Sequence, residues 1–432
     1  MGASGKLWNK NFAILWQGQL ISDLGNGIFN FILGFWVLDI TGSPLLMGAV
    51  MACLSIPRVI FGPIAGTFAD RHSRKWIIVL ADLIRGVLFA CVGLGALLSK
   101  EMFPHEILYP VAILSGICSA FFSPAIISSI PDIVPADKLT KANSMRTLSQ
   151  SVSSLVGYAA GGTLYPLLNN MNIMGLGYKL GAQLLVFLYG VCFLYAAGTQ
   201  FFMKIPTQAP SCCDQHIFHD MWDGMKYTFR QKGIRTLITI GMFLNFFAVM
   251  GVTLLTPLFN EEPGYGKTMY GAVMATLMVG QLCGMAIVSF SKIKSTTRPV
   301  VFFASVVALI GCMIPVGLVT NVYVMFPLAL VIGMAIAIMT ILVYTLLQVT
   351  VQPENRGRVF GIMSTVFEGL NPAAQIASGG VAQAFGVRPT ILGAFVCAGL
   401  VLAFAFFNKP FKTFLKSEPL PEAGAQGASQ PV

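Results

Sequence analysis

Three ionisable residues, Asp23, Arg58 and Glu368, stand alone in long apolar runs. A charge at bilayer depth costs at least about 2.5–3.5 kcal/mol on insertion scales, so each is a candidate for function. Counted from the nearest polar break at about 1.5 Å per residue, all three lie roughly 16–20 Å deep and share one level. Two carboxylates and a guanidinium at one depth suit proton exchange: Asp23 or Glu368, opened alternately to two sides, would take up a proton on one and release it on the other, with Arg58 as counter-charge. The structural alternative is a fixed Asp23–Arg58 pair with Glu368 merely facing a cavity. Asn26, Asn30, Gln150, Asn245, Gln348, Asn371 and Gln375 could hydrogen-bond a ligand or hold neighbouring helices together. Phe29, Trp36, Phe121 and Phe246 lie deep enough to wall a cavity for amphipathic molecules, or to face lipid.

A second group of charges clusters near one loop, 66-GTFADRHSRK-75. Gly66 has no side chain and permits close helix approach, and Asp70 can face a helix N-terminus or the basic residues Arg71, Arg74 and Lys75. Asp82 and Arg85 stand about one turn apart and Arg146 about two turns into its own helix, which predicts one charge network near the same membrane face. Enzyme chemistry has no support: there is no G-x-x-x-x-G-K-[ST] loop and no H-E-x-x-H, and 93-GLG-95 sits inside an apolar run with no strand before it. No pattern calls for a cofactor or a metal. Seven of the nine Cys are scattered singly and two are adjacent, which fits neither a metal site nor a disulfide framework.

The elements that must hold these residues are membrane helices. The 432 residues are 56% hydrophobic and 10% charged, against about 25% charged for soluble domains. Apolar runs of about 20 residues recur throughout, each able to cross a hydrocarbon core. Polar breaks near 39–44, 70–75, 99–106, 132–140, 169–179, 204–232, 260–268, 292–299, 319–323, 351–356 and 386–389 divide the chain into about twelve helices. The first apolar run has no small-residue cleavage site and is read as a retained helix rather than a signal peptide. With a cytoplasmic N-terminus, 20 of the 27 Lys and Arg fall in inside loops and only Lys100, Lys179, Lys267 and Arg388 outside, with Arg58, Arg85 and Arg146 within spans. This distribution places both termini in the cytoplasm and makes the net charge of +10 a matter of orientation, with no nucleic acid implied. In the longest break, 217-IFHDMWDGMKYTFRQKGIR-235 predicts an amphipathic interfacial helix. The expected organisation is a bundle over 1–203, a linker over 204–232, a second bundle over 233–408 and a disordered tail over 409–432.

The chain also resembles itself. The segment 48-GAVMA-52 recurs as 271-GAVMA-275, an offset of 223, and Pro135 with Pro353 and Gly161–Gly162 with Gly379–Gly380 follow at 218. Two parallel six-helix halves enclosing a site near the midplane is a transporter architecture. Gly157, Gly161 and Gly162 would give the fifth helix a hinge.

The loop 66-GTFADRHSRK-75 fits the G-x-x-x-D-R-x-x-R-[RK] signature of the major facilitator superfamily at Gly66, Asp70, Arg71, Arg74 and Lys75. In that family the cluster latches the cytoplasmic side in the outward-facing state. The counterpart 289-SFSKIKSTTR-298 lacks the Gly and Asp, so the complete latch belongs to the first half. The element 157-GYAAGG-162 is similar to the G-P-x-x-G-G of antiporter branches, with Tyr158 in place of Pro. The segments 41-TGSPLLMGAV-50, 57-PRVIFGPIAGTFADR-71, 123-SPAIISSIPDIVPADKLTKANS-144 and 220-DMWDGMKY-227 resemble the macrolide-efflux and siderophore-exporter branch, over roughly residues 10–408. The resemblance implies the all-α major facilitator fold with twelve transmembrane helices in two pseudo-symmetric bundles. It also implies a monomer in a bacterial-type inner membrane that exports amphipathic small molecules in exchange for protons. The fourth helix, 109-YPVAILSGICSAFF-122, lacks the Arg that many proton antiporters carry there. Alternatives on the same fold are lipid or lysophospholipid movement, nutrient import, and a sensor without transport.

Overall fold

In the computed structural model the described residues are 7–99, 104–170, 181–205, 225–226, 228, 230–291 and 293–416. Helices account for all the regular structure among them. In order they are α1 (Lys10–Thr41), α2 (Pro44–Arg71), α3 (Arg74–Leu98), α4 (Leu108–Ile133), α5 (Leu139–Asn170), α6 (Gly181–Phe201), α7 (Lys232–Thr253) and α8 (Leu255–Glu261). Then follow α9 (Gly266–Phe290), α10 (Arg298–Leu318), α11 (Val322–Thr350), α12 (Pro353–Gly369), α13 (Asn371–Phe385), α14 (Val387–Phe407) and α15 (Lys409–Leu415).

Local chemistry sets the ends. Asn9 caps α1 by accepting the Phe12 N–H at 2.9 Å, and Gly42, with φ 63°, closes it in the left-handed conformation. Ser43 and Pro44 start α2 at once, so the chain reverses within two residues. Two helices are broken in mid-course. Pro257 lacks the N–H that would bond the Thr253 carbonyl and Pro372 the one for Glu368, and the α7–α8 and α12–α13 junctions fall at those carbonyls.

Among the described residues, ten helical segments are long and apolar enough to cross a membrane. The other long helices, α5 and the α12–α13 pair, are rich in Ser, Asn, Gln and Gly. Phe290 and Phe407, more than three-quarters exposed, show the opposite case of side chains suited to hydrocarbon.

α1 packs on α5 and α6, α3 on α6 and α4, and α2 on α4 to form one set. A second set joins α7 to α13 and α14, α9 to α11, and α10 to α11 and α14. The sets meet where α2 lies on α13 and α5 lies on α9.

Most of the expected amphipathic helix at 217–235 lies outside the described residues; Met225, Lys226, Thr228 and Arg230, which are described, are helical. Residues 409–415, expected in a disordered tail, instead form α15. Asn408 caps it, and Phe411 and Leu415 are buried, with α15 packed against α7 and α10. The tail beyond 416 lies outside the described residues.

Candidate functional site

The end where α1 begins is termed the near end and the end where it stops the far end. Toward the far end the two sets approach through glycine. At Gly48 of α2 a Cβ would overlap the Gln375 carbonyl oxygen and lie 3.7 Å from the Gly379 Cα. At Gly271 of α9 a Cβ would lie 2.6 Å from the Tyr158 carbonyl oxygen and 2.7 Å from the Gly162 Cα. Gly48 and Gly271 are the repeat pair, 223 apart, and their partners correspond too: Gln375 with Tyr158 and Gly379 with Gly162, each 217 apart. The two crossings are therefore copies of one contact. The expected offset of 218 is one too many here, because a Gly-Gly pair does not reveal which glycine faces the partner. Gly162 faces α9, whereas Gly161 packs on Phe31 and Gly157 on Gly27, both of α1.

A third link lies at the far end. Asp39 of α1 accepts from Lys267 Nζ of α9 at 2.7 Å and from the Tyr165 hydroxyl of α5 at 2.5 Å, and Lys267 also sits over the Phe35 and Tyr165 rings. Sequence reasoning missed this latch. Asp39 and Lys267 were visible only as loop charges, and their opposite signs at the ends of α1 and α9 were the available signal.

Below the crossings a cavity of about 360 Å³ is lined from both sets, by Asn30 and Leu33 of α1, Ser55 and Arg58 of α2, Tyr158 of α5, Thr253 and Thr256 at the α7–α8 break, Tyr270 of α9 and Gln375 of α13. Ser55 Oγ reaches Gln375 Oε1 at 3.2 Å across the sets. Arg58 is the one charged side chain lining this cavity, is exposed to it, and has no hydrogen-bonded or ion-paired partner among the described residues. Glu368 and Tyr189 are within its electrostatic reach.

The level shared by Asp23, Arg58 and Glu368 does not bring them into one cluster. The charges acting on Asp23 are those of Arg146 and Arg85, so a fixed Asp23–Arg58 pair is not formed. Depth in sequence fixes height, while rotation about the helix axis decides the neighbour. Glu368 is exposed at the end of α12, and Asn245 braces the break behind it by donating to the Phe367 carbonyl at 2.9 Å and to Asn371 Oδ1 at 2.8 Å.

Asp82 and Arg85, expected in a charge network with Arg146, are buried, and Arg85 and Arg146 both act on Asp23. Asp82 and Arg85 are 0% and 3% exposed, ion-paired at 2.5 Å inside the first set, with the guanidinium 4.4 Å and 4.3 Å from the Phe122 and Phe193 ring centres. The aromatic faces and the carboxylate together make a buried cation tolerable. The Arg146 Nε is buried without a partner.

In the loop motif, Arg74 donates to Asp132 at 2.6 Å and to the Ser128 carbonyl at 2.7 Å, both on α4. Lys75 lies over the Trp76 and Phe201 rings, and Arg71 is exposed. The side chain of Asp70 lies outside the described ones. Among the described residues nothing lies within 4 Å of where a Cβ on Gly66 would sit in this conformation.

Of the remaining candidates, Asn30 and Gln375 line the cavity. Asn26 instead accepts the Tyr189 hydroxyl at 2.7 Å. Gln150 is half-buried on α5 and Gln348 exposed on α11, and neither lines the cavity. The expected aromatic wall is largely core. Phe29 is buried and stacked on Tyr189, Trp36 is buried, Phe121 packs on Phe61 and Phe68, and Phe246 packs on Phe247.

A second, more apolar cavity of about 310 Å³ lies within the second set, between α7, α10, α11 and α14, and shares Ala248 and Val252 with the first.

The sequence matches the family model of the Major Facilitator Superfamily over residues 15–373. It is 24% identical over 388 residues to macrolide efflux protein A of Streptococcus pyogenes, covering 88% of this chain and 91% of that protein. It is 24% identical over 409 residues to the uncharacterized MFS-type transporter YfiS of Bacillus subtilis, covering 91% of each. The fold superposes on a bacterial homolog of the human lysosomal transporter Spinster, in an inward-facing and unoccupied conformation, with a TM-score of 0.70 at 15% identity, covering 95% of this chain and 98% of that one. It superposes on the nucleoside transporter NupG with a TM-score of 0.67 at 15% identity, covering 95% and 100%. The loop signature, the helical fold with its membrane-length apolar spans, and the family match agree: the chain belongs to the Major Facilitator Superfamily.

Proposed function

We propose that this transporter exports amphipathic small molecules, drug-like or siderophore-like, in exchange for protons by alternating access. The observation that carries this reading is the central cavity: both helix sets line it, and two copies of one glycine crossing close over it at the far end. A mixed wall of Arg58, Asn30, Gln375 and tyrosines beside Leu33 and Met51 suits ligands with polar and apolar parts. Efflux is favoured over import or lipid movement by the similarity to macrolide efflux protein A.

In this reading α5 and the α12–α13 pair also cross the bilayer, which gives twelve spans in two six-helix bundles, residues 1–203 and 233–408, joined by 204–232. The excess of Lys and Arg at the near end puts that end and both termini in the cytoplasm of a bacterial-type inner membrane. The structure then corresponds to the inward-open state, as in the inward-facing Spinster homolog. Asp23, which feels the charges of Arg146 and Arg85, and Glu368, within electrostatic reach of Arg58, are the two proton carriers to separate.

The test uses inside-out membrane vesicles with an acidified interior and a panel of lipophilic drugs and siderophores, alongside Glu368→Gln. The expected result is gradient-dependent accumulation that the variant loses while still binding ligand. Flux in Glu368→Gln equal to the native protein removes Glu368 from coupling. Accumulation of no compound contradicts export.

A further inference from the structure

We infer that the two cavities form one bipartite binding site for an amphipathic anion, with its negative group at Arg58 and its apolar body in the pocket inside the second set. This rests on the export reading and narrows its substrate class. The charge follows from the wall of the central cavity, where the Arg58 guanidinium is the one ionised lining group and has no hydrogen-bonded or ion-paired partner among the described residues. A guanidinium on a cavity wall with no hydrogen-bonded or ion-paired partner attracts a carboxylate, sulfate or phosphate ester and repels a cationic amine. Asp23 and Glu368, which would reverse that preference, line neither cavity.

The apolar body follows from the second cavity. Leu237, Leu244, Val306, Leu309 and Met313 give it a hydrocarbon surface, and its polar lining is confined to Asn245, Thr340 and Tyr344. Its volume of about 310 Å³ lies at the lower end of the roughly 300–1,000 Å³ typical of small-molecule pockets, the size for one compact apolar body. Ala248 and Val252 belong to both walls, so the polar and apolar cavities adjoin across one face of α7, where the inferred ligand spans them. The Asn245 amide N–H groups are already engaged by the Phe367 carbonyl and Asn371, which leaves the Thr340 and Tyr344 hydroxyls as the few polar groups at the apolar end.

The experiment is equilibrium binding of radiolabelled straight-chain carboxylates, octanoate to dodecanoate, to the full-length protein in lipid nanodiscs with empty nanodiscs subtracted. Dodecyltrimethylammonium is the matched cation. Native protein should bind dodecanoate saturably, and affinity should rise about fourfold per added methylene, the equivalent of about 0.8 kcal/mol. Arg58→Gln should weaken dodecanoate at least about tenfold, with Arg58→Lys restoring most of it because the charge is kept. Thr340→Trp, at an exposed position on the pocket wall, should abolish the chain-length dependence while leaving octanoate bound. Saturable binding of the cation that Arg58→Gln leaves unchanged overturns the inference, as does the absence of saturable carboxylate binding. Either result leaves export intact if the vesicles accumulate cationic drugs. Loss of all gradient-driven accumulation with carboxylate binding preserved would sink the export reading instead.

Discussion

The two helix sets share a contact geometry and divide the chemistry. The first buries Asp82 and Arg85 among its helices, holds Asp23 and Arg146 half-buried, and presents Arg58 to the cavity. In the second, Glu368 is the one charge away from the ends of the apolar runs, and the space that charges and their partners fill in the first set is an apolar cavity. The glycine crossings show that a repeat preserves what closure needs, namely backbone close enough to touch at Gly48 and Gly271. The differences lie in side chains that closure does not use, and there each half is free to carry its own task. The far-end latch is also unequal: Asp39 and Lys267 bridge the α1 and α9 ends beside the α5–α9 crossing.

The first way to break this comparison is to remove one buried charge from the first set. Asp82→Asn leaves Arg85 uncompensated between two rings and should cost about 3–5 kcal/mol of stability, read as a lowered melting transition in detergent. Glu368→Gln, at an exposed position, should melt close to the native protein. Equal losses would mean that the charges of the two sets are not divided as described. The next test concerns the crossings. Gly271→Val and Gly48→Val should each cut flux at least about tenfold by preventing far-end closure, and they should do so alike, because the contacts are copies. Gly66→Ala meets open space in this state and should melt close to the native protein. A severe effect at Gly271 with none at Gly48 would show that one crossing suffices.

A smaller effect is expected at the near end. Asp70→Asn should slow transport severalfold and leave ligand affinity within a few fold, since the loop motif sets the conformational equilibrium and not the cavity wall. Large loss of affinity with normal cycling would contradict that role. The smallest belongs to Lys267→Ala. The Asp39–Lys267 pair is about a fifth to a third exposed, so its loss should shift the equilibrium toward far-end opening by about 1 kcal/mol or less, and by less still in high salt. Accessibility of a reporter cysteine near Ile40 would measure that shift.

Much of this was readable before any coordinates. Apolar length and polar breaks gave the helix ends, the loop signature gave the family, and 48-GAVMA-52 with 271-GAVMA-275 marked the two halves of the crossings. What stayed hidden is azimuth. Sequence depth set Asp23 and Arg58 at one level, but the rotation of α1 turns Asp23 toward Arg146 and Arg85. The same blindness left the burial of Asp82 and Arg85 unread and could not choose between Gly161 and Gly162. Phe29 and Trp36 were at the right depth for a cavity wall and face the core. The second cavity left no sequence signal, because an apolar wall and a lipid-facing stripe are written in the same residues.

The central claim is that the far end must open and close around the cavity in every cycle. Its most direct test is a reversible cross-link there: Asp39→Cys with Lys267→Cys, in a background with the nine native cysteines replaced, reconstituted in proteoliposomes. Alternating access predicts that the cross-linked protein still binds ligand from the near end but loses nearly all flux, and that reduction restores it. Flux through the cross-linked protein equal to that of the reduced one would contradict the account.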